Sequence, residues 1–180
     1  TGAGDRAFSA GGDVKWESGG GLEDAEWVLG RYIVDCPKPV IARVPGYAIG
    51  GGNHLAYLCD FTIAADHSVF GQTGPRVGSP ASGYCVSHSA NILGHKRARE
   101  MWMLTRQYSA QQMLDWGLIN ASVPMDQLDA EVEQWCSELL ALSPSCLKVL
   151  KASFRLHMEP IMKDTMVEIV NRAVPGYHKT

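Results

Sequence analysis

The 180-residue sequence predicts an α/β fold. Three observations lead there. Short β-branched segments bounded by proline and glycine alternate with helical patterns through the first half of the chain. Two glycine-rich stretches, at 11–12 and 50–52, stand where such segments end. Beyond Ala90 the apolar spacing becomes helical.

Taken in order, the chain opens as a loop that enters AFSA at 7–10 and runs into Gly11, Gly12 and Asp13. Residues 14–22 are glycine-rich and read as a loop. From 22 to 34 the apolar residues Leu22, Ala25, Val28, Leu29, Tyr32 and Ile33 recur at helical spacing, so a helix packed on one face is expected. Pro37 and Pro39 end it, because proline has no N–H to continue the ladder. A strand is expected at 40–44, with a turn at Pro45 and Gly46. The glycines at 50–52 open a short helix at 53–59, followed by strands at 61–64 and 68–71. Helices are expected at 97–104, 109–116, 126–142 and 145–154. Ser109 is placed to cap the second of these. Asp129, Glu131 and Glu133 lie early in the third, where the helix dipole favours acidic groups.

Composition narrows the function classes. With 46% hydrophobic and 19% charged residues the chain can bury a core. A net charge of -3 argues against nucleic acid as a partner. Cys36, Cys59, Cys85, Cys136 and Cys146 form no C-x-x-C pair, which reads as reduced cysteine in a cytoplasmic protein. No apolar run approaches the roughly 20 residues of a membrane span, and no metal-ligand spacing stands out. The first residues resemble neither a signal peptide nor a natural start, so the chain is expected to begin mid-protein.

The glycines at 50–52 do not fit G-x-G-x-x-G, and no G-K-[ST] follows. Alone, such a triplet is a tight turn. Consecutive glycines also let backbone N–H groups approach a ligand while the following helix points its positive end at the same place. An oxyanion site takes two donors from separate segments, and Gly11 and Gly12 offer the second.

These residues resemble the crotonase (enoyl-CoA hydratase/isomerase) superfamily in order and spacing. The resemblance is carried by AFSAGGD at 7–13, KPVIA at 38–42, GYAIGGG at 46–52, Cys59 with Asp60, and Phe70, Gly71 and Gln72. It implies a spiral of ββα units over 1–120, lacking the first strands, and a helical trimerisation region at 121–180. In that family about 60 to 70 residues precede the first glycine loop, so the opening strands are expected to be missing from this chain. The resemblance further implies that Gly12 and Gly51 donate to the thioester oxygen of an acyl-CoA substrate. Ala10, Gly11 and Asp13 would line the coenzyme A channel, and the partner would be a second copy, in trimers or hexamers.

Enoyl-CoA hydratases carry two glutamates at the positions that are His54 and Gly74 here, which disfavours simple hydration. The segment 70–79, with RAREMW at 97–102 and RQY at 106–108, is more similar to 1,4-dihydroxy-2-naphthoyl-CoA synthase and 2-ketocyclohexanecarboxyl-CoA hydrolase. That similarity implies a bicarbonate base held by Gln72, Gly74 and Trp102, with Thr73, Ser79 and Tyr177 toward the substrate and Tyr84 donating to its carbonyl. Where those enzymes carry a proton-transferring aspartate, this chain has Ala81. Two alternatives stay open: a hydratase or isomerase using His54, and a non-catalytic acyl-CoA-binding member.

Overall fold

The computed structural model describes residues 1–13, 15, 28–79, 83–164 and 166–176. In chain order the elements are β1 (Ala7–Ser9), α1 (Val28–Asp35), β2 (Ile41–Val44), β3 (Tyr47–Ile49), α2 (Gly51–Leu58), β4 (Phe61–Ala65), β5 (Val69–Gly71), α3 (Gly74–Val77), α4 (Tyr84–Leu93), α5 (His95–Leu104), β6 (Gln107–Ser109), α6 (Ala110–Asp115), β7 (Ala121–Val123), α7 (Leu128–Leu140), α8 (Pro144–Met158) and α9 (Met166–Ala173). Strands β1, β3, β5 and β6 form one sheet in that order, and β2, β4 and β7 form another. The chain changes sheet at each step from β1 to β5, which winds it into a two-sheet spiral. All strand pairs are parallel except β5 with β6.

Alternation along β2 explains how one sheet serves two cores. Ala42 and Val44 are buried toward the main cluster with Ala64, Phe70 and Met101. On β4, Ile63 and Ala65 face the other way and pack on Leu128 at the start of α7. Successive side chains of a strand point to opposite faces, so every residue of β4 from Thr62 to Ala65 is buried. The Phe61 and Trp135 rings meet edge to face at 5.3 Å, extending this second cluster.

The expected cap at Ser109 is present as a full capping box. The Ser109 hydroxyl accepts from Gln112 N–H while the Gln112 side chain accepts from Ser109 N–H. Ser143 caps α8 by a single bond, its hydroxyl accepting from Cys146 N–H, with Pro144 in the first turn, where its missing N–H has no consequence. Acidic Asp129 and Glu131 do fall in the first turn of α7.

Several expectations need correction. Residues 7–10 were expected to be loop, yet 7–9 form β1, paired with β3. Strands β3, β6 and β7 and helix α4 have no counterpart in the sequence reading, and each of those strands has only three residues. Three residues cannot show a period of two, so pairing rather than pattern defines them. The helix expected at 22–34 is described only as α1; its first turns lie outside the described residues, as does the loop at 14–22 apart from Lys15.

One ion pair, buried on its lysine side, fastens α8 to the body. Lys151 is 7% exposed, and its Nζ donates to Asp60 Oδ2 at 2.6 Å and to the Lys38 carbonyl at 2.8 Å. Asp60 Oδ2 also accepts from Val40 N–H at 2.7 Å, immediately before β2. Asp60 stays open to solvent when Lys151 is removed, so the loss is that of charge-assisted hydrogen bonds, about 1 to 3 kcal/mol. Lys151→Met is therefore expected to lower unfolding free energy by about that amount. An unchanged denaturation midpoint would show that the pair is dispensable.

Candidate active site

The two glycine stretches meet at the C-terminal ends of β1 and β3. Gly50 has φ 58 and caps the start of α2, and its N–H donates to the Gly71 carbonyl on β5 at 2.9 Å. Gly51 is the first residue of α2, so its N–H has no acceptor within the helix. A Cβ on Gly52 would lie 2.1 Å from the Ser9 carbonyl oxygen. No side chain fits there. Gly11, at φ 98, is equally constrained, because a Cβ on it would stand 3.1 Å from the Gly51 nitrogen. Its N–H donates to Ser9 Oγ at 3.2 Å.

Gly11 therefore lies against the Gly51 amide, and Gly12 follows it on the exposed side with Ala10 and Asp13. Thr73 closes the third side. Its Oγ1 is 3.3 Å from the position a Cβ would take on Gly50. The structure thus gathers Ala10, Gly11, Gly50, Gly51 and Thr73, with the positive end of α2 in their midst.

Behind this loop lies a buried polar chain. His54 is 2% exposed, and its Nε2 is 3.1 Å from Gln72 Oε1. The His54 ring is stacked obliquely 5.1 Å from the Trp102 ring and 5.9 Å from Tyr57. The Trp102 indole N–H donates to Ser89 Oγ at 2.8 Å, and the Ser89 hydroxyl donates in turn to the Val86 carbonyl. Burial pushes the His54 pKa down to about 4, against a smaller opposing effect of the Gln72 hydrogen bond. The imidazole is neutral at physiological pH.

These contacts change three expected roles. Trp102 is not an anion donor, since Ser89 already accepts its N–H. Gly74 was expected to leave room for an anion, but its missing Cβ makes room for the Ser79 carbonyl, which would be 2.6 Å from such an atom. One of the three expected bicarbonate donors is thus otherwise engaged and the space beside Gly74 is taken by the Ser79 carbonyl, so the residues do not fit that ion. Tyr84 was expected to reach a substrate carbonyl. Instead its hydroxyl is buried against α1, 2.8 Å from where a Gly30 Cβ would sit, and burial raises its pKa. Ser79 is half-buried at the end of the loop that carries Gly74, and Tyr177 lies outside the described residues. Ser89 escaped the sequence reading because its relation to Trp102 spans two helices, α4 and α5, whose packing no spacing announces.

A cavity of about 460 Å³ lies at the other end of α2, lined by Tyr57, Leu58, His88, Leu150 and Phe154. It does not include the glycine loops. Among the described residues no three His, Cys, Asp or Glu side chains gather as a metal site. No helix among them is long and apolar enough to cross a membrane.

The sequence profile of the enoyl-CoA hydratase/isomerase family matches residues 1–174. The chain belongs to that family. It is similar to an enoyl-CoA hydratase/carnitine racemase from Magnetospirillum magneticum, with TM-score 0.80, 25% identity, and 88% of this chain and 62% of that one covered. An enoyl-CoA hydratase from Bacillus anthracis is similar at TM-score 0.77 and 29% identity, covering 89% and 68%. Methylmalonyl-CoA decarboxylase in complex with 2-nitronate-propionyl-CoA shares the fold at TM-score 0.87, with 24% identity and 99% and 71% covered. The chain spans only 62% of the first of these structures. With these likenesses the two-sheet spiral is the α/β crotonase fold. Members of this family typically act on CoA thioesters.

The neutral burial of His54 carries a pH signature. Its folded pKa is near 4 and its unfolded value near 6.5, so between those values the unfolded chain binds more protons. Stability is therefore complete above pH 6.5 and is lost as the pH falls toward 4, by on the order of 3 kcal/mol from this residue. His54→Gln is expected to flatten that part of the stability curve in thermal melts between pH 7 and 4. A wild-type curve already flat there would contradict the assignment.

Proposed function

We propose that this chain makes or breaks a carbon–carbon bond next to a coenzyme A thioester, through an enolate held by the Gly12 and Gly51 N–H groups. The observation that carries the reading is the close approach of Gly11 to the Gly51 amide, which brings the two glycine loops to one point. Ala10, Gly11 and Asp13 border the coenzyme A path, while Thr73 and Ser79 face the acyl group. Donors fixed in the backbone need no reorganisation as charge develops, and one such donor contributes about 3 to 4 kcal/mol to the transition state.

Hydration or double-bond isomerisation is the second reading, and the enoyl-CoA hydratase names of similar structures favour it. Its weak point is acid–base chemistry. Positions 54 and 74 hold a buried histidine whose pKa lies near 4 and a glycine, so neither supplies the paired acid and base that addition of water needs near pH 7. The naphthoyl-CoA-synthase-like or ring-opening reaction is the finer form of the proposal, without bicarbonate as a bound base.

The test is turnover of o-succinylbenzoyl-CoA, 2-ketocyclohexanecarboxyl-CoA and crotonyl-CoA, each with and without bicarbonate, by the wild type and by Gly52→Ala. Turnover of a ring-forming or ring-opening substrate is expected, unaffected by bicarbonate. Gly52→Ala is expected to reduce it about 100-fold or more, because the added methyl displaces α2 from Ser9. Turnover of crotonyl-CoA alone would replace the first reading with the second, and full activity in Gly52→Ala would remove the oxyanion site.

The helical region 121–180 is proposed to mediate association into trimers or hexamers. On α8, Val149 and Phe154 are 65% and 73% exposed, with Leu150 and Leu156 also open, an apolar surface that association would cover. Light scattering is expected to report an oligomer whose mass falls in Phe154→Glu; a monomeric wild type would overturn this.

A further inference from the structure

Gln72 is the member of the expected anion-binding set whose side-chain amide still has a hydrogen-bonding group to offer. It is 1% exposed, and its Nε2 has no acceptor among the described residues. A buried amide nitrogen without an acceptor costs about 1 to 3 kcal/mol, so its orientation has to be held by something else. The chain on either side of Gln72 flanks the glycine loop: the Gly71 carbonyl accepts from Gly50 N–H, and Thr73 Oγ1 faces Gly50.

A carboxamide has two faces that differ in polarity and can exchange by a half turn. Which face looks outward depends on the partner of the other. Here that partner is His54, which is 2% exposed and whose ring lies against those of Trp102 and Tyr57, at 5.1 and 5.9 Å. Trp102 is itself tied to Ser89, so the restraint passes from α4 through α5 to α2.

We infer that His54 is a positioning residue, whose Nε2–H holds Gln72 by Oε1 so that the Gln72 NH₂ is presented to an oxygen of the acyl group bound beside the glycine loops. The inference rests on the acyl-CoA reading above and deepens it. Neutral imidazole carries one N–H, so the proton must reside on Nε2. The ligand feature recognised is an acceptor-only oxygen, carbonyl or carboxylate, and a hydroxyl donor at that place would meet a second donor. His54 itself exchanges no proton in this scheme.

Two readouts test it. In the folded protein at pH 7, long-range ¹⁵N–¹H correlation of the His54 ring is expected to show the Nε2–H tautomer; an Nδ1–H tautomer would overturn the inference. This needs no substrate, so it stands even if every thioester fails to react, a result that would instead remove the acyl-CoA reading. With a substrate that turns over, His54→Phe is expected to lower kcat about 10- to 100-fold with little change in KM, a loss of the size that misplaced catalytic groups produce. His54→Gln keeps an N–H donor and is expected to restore kcat to within about threefold. In the Gln72→Leu background, His54→Phe is expected to cause no further loss. Wild-type kcat in His54→Phe, or equal losses with and without Gln72, would show that the two residues act independently.

Discussion

The backbone of α2 lies so close to the end of β1 that no side chain can stand between them. At Gly52 the space left for a Cβ is 2.1 Å from the Ser9 carbonyl, and at Gly46 it is 2.2 Å from the Arg6 carbonyl. These two contacts clamp the first strand and its flank along β3 and onto the helix that follows. The parallel pairing of Ala7 with Tyr47 and of Ser9 with Ala48 depends on them. So does the position of Gly11, because Ser9 is two residues away and its hydroxyl receives the Gly11 N–H. Two glycine loops are thereby brought together by main chain alone, and the precision of their placement derives from how closely two backbones can pack.

The interior behind the clamp is polar where a simple core would be apolar. Ser89, Trp102, His54 and Gln72 form a continuous series of hydrogen bonds and ring contacts between α4, α5, α2 and the segment after β5. Each polar group of such a series that lacks a partner costs stability, as the Gln72 Nε2 does. The imidazole limits its own cost by remaining uncharged. The same requirement engages the Trp102 indole with a serine hydroxyl, which is why a residue in the right position for anion binding does not perform it.

Legibility in the sequence followed the strength of local signals. β2 and β4 were readable from β-branched residues between prolines and glycines, and α6 from the Ser109 and Gln112 pair that closes its capping box. β1, β3, β6 and β7 were not, because three-residue strands have no pattern of their own and exist through pairing with distant segments. The glycine loops that meet through Gly11 and the Gly51 amide could be named from motif order. The hydroxyl of Tyr84 could not be placed, because its direction is set by the packing of α4 under Gly30 of α1.

The sequence by itself determined the family, the two glycine loops and the substitution of His54 and Gly74 for acidic residues, since these are matters of residue identity and order. Only the tertiary structure decided what each polar group does. Whether Trp102 meets an anion or Ser89, whether Gly74 leaves a void or accommodates the Ser79 carbonyl, and whether His54 carries a proton or positions Gln72 all depend on atoms brought together from separate elements. Hydrogen bonding and desolvation act over a few ångströms, and one-dimensional spacing does not encode distances on that scale across a fold.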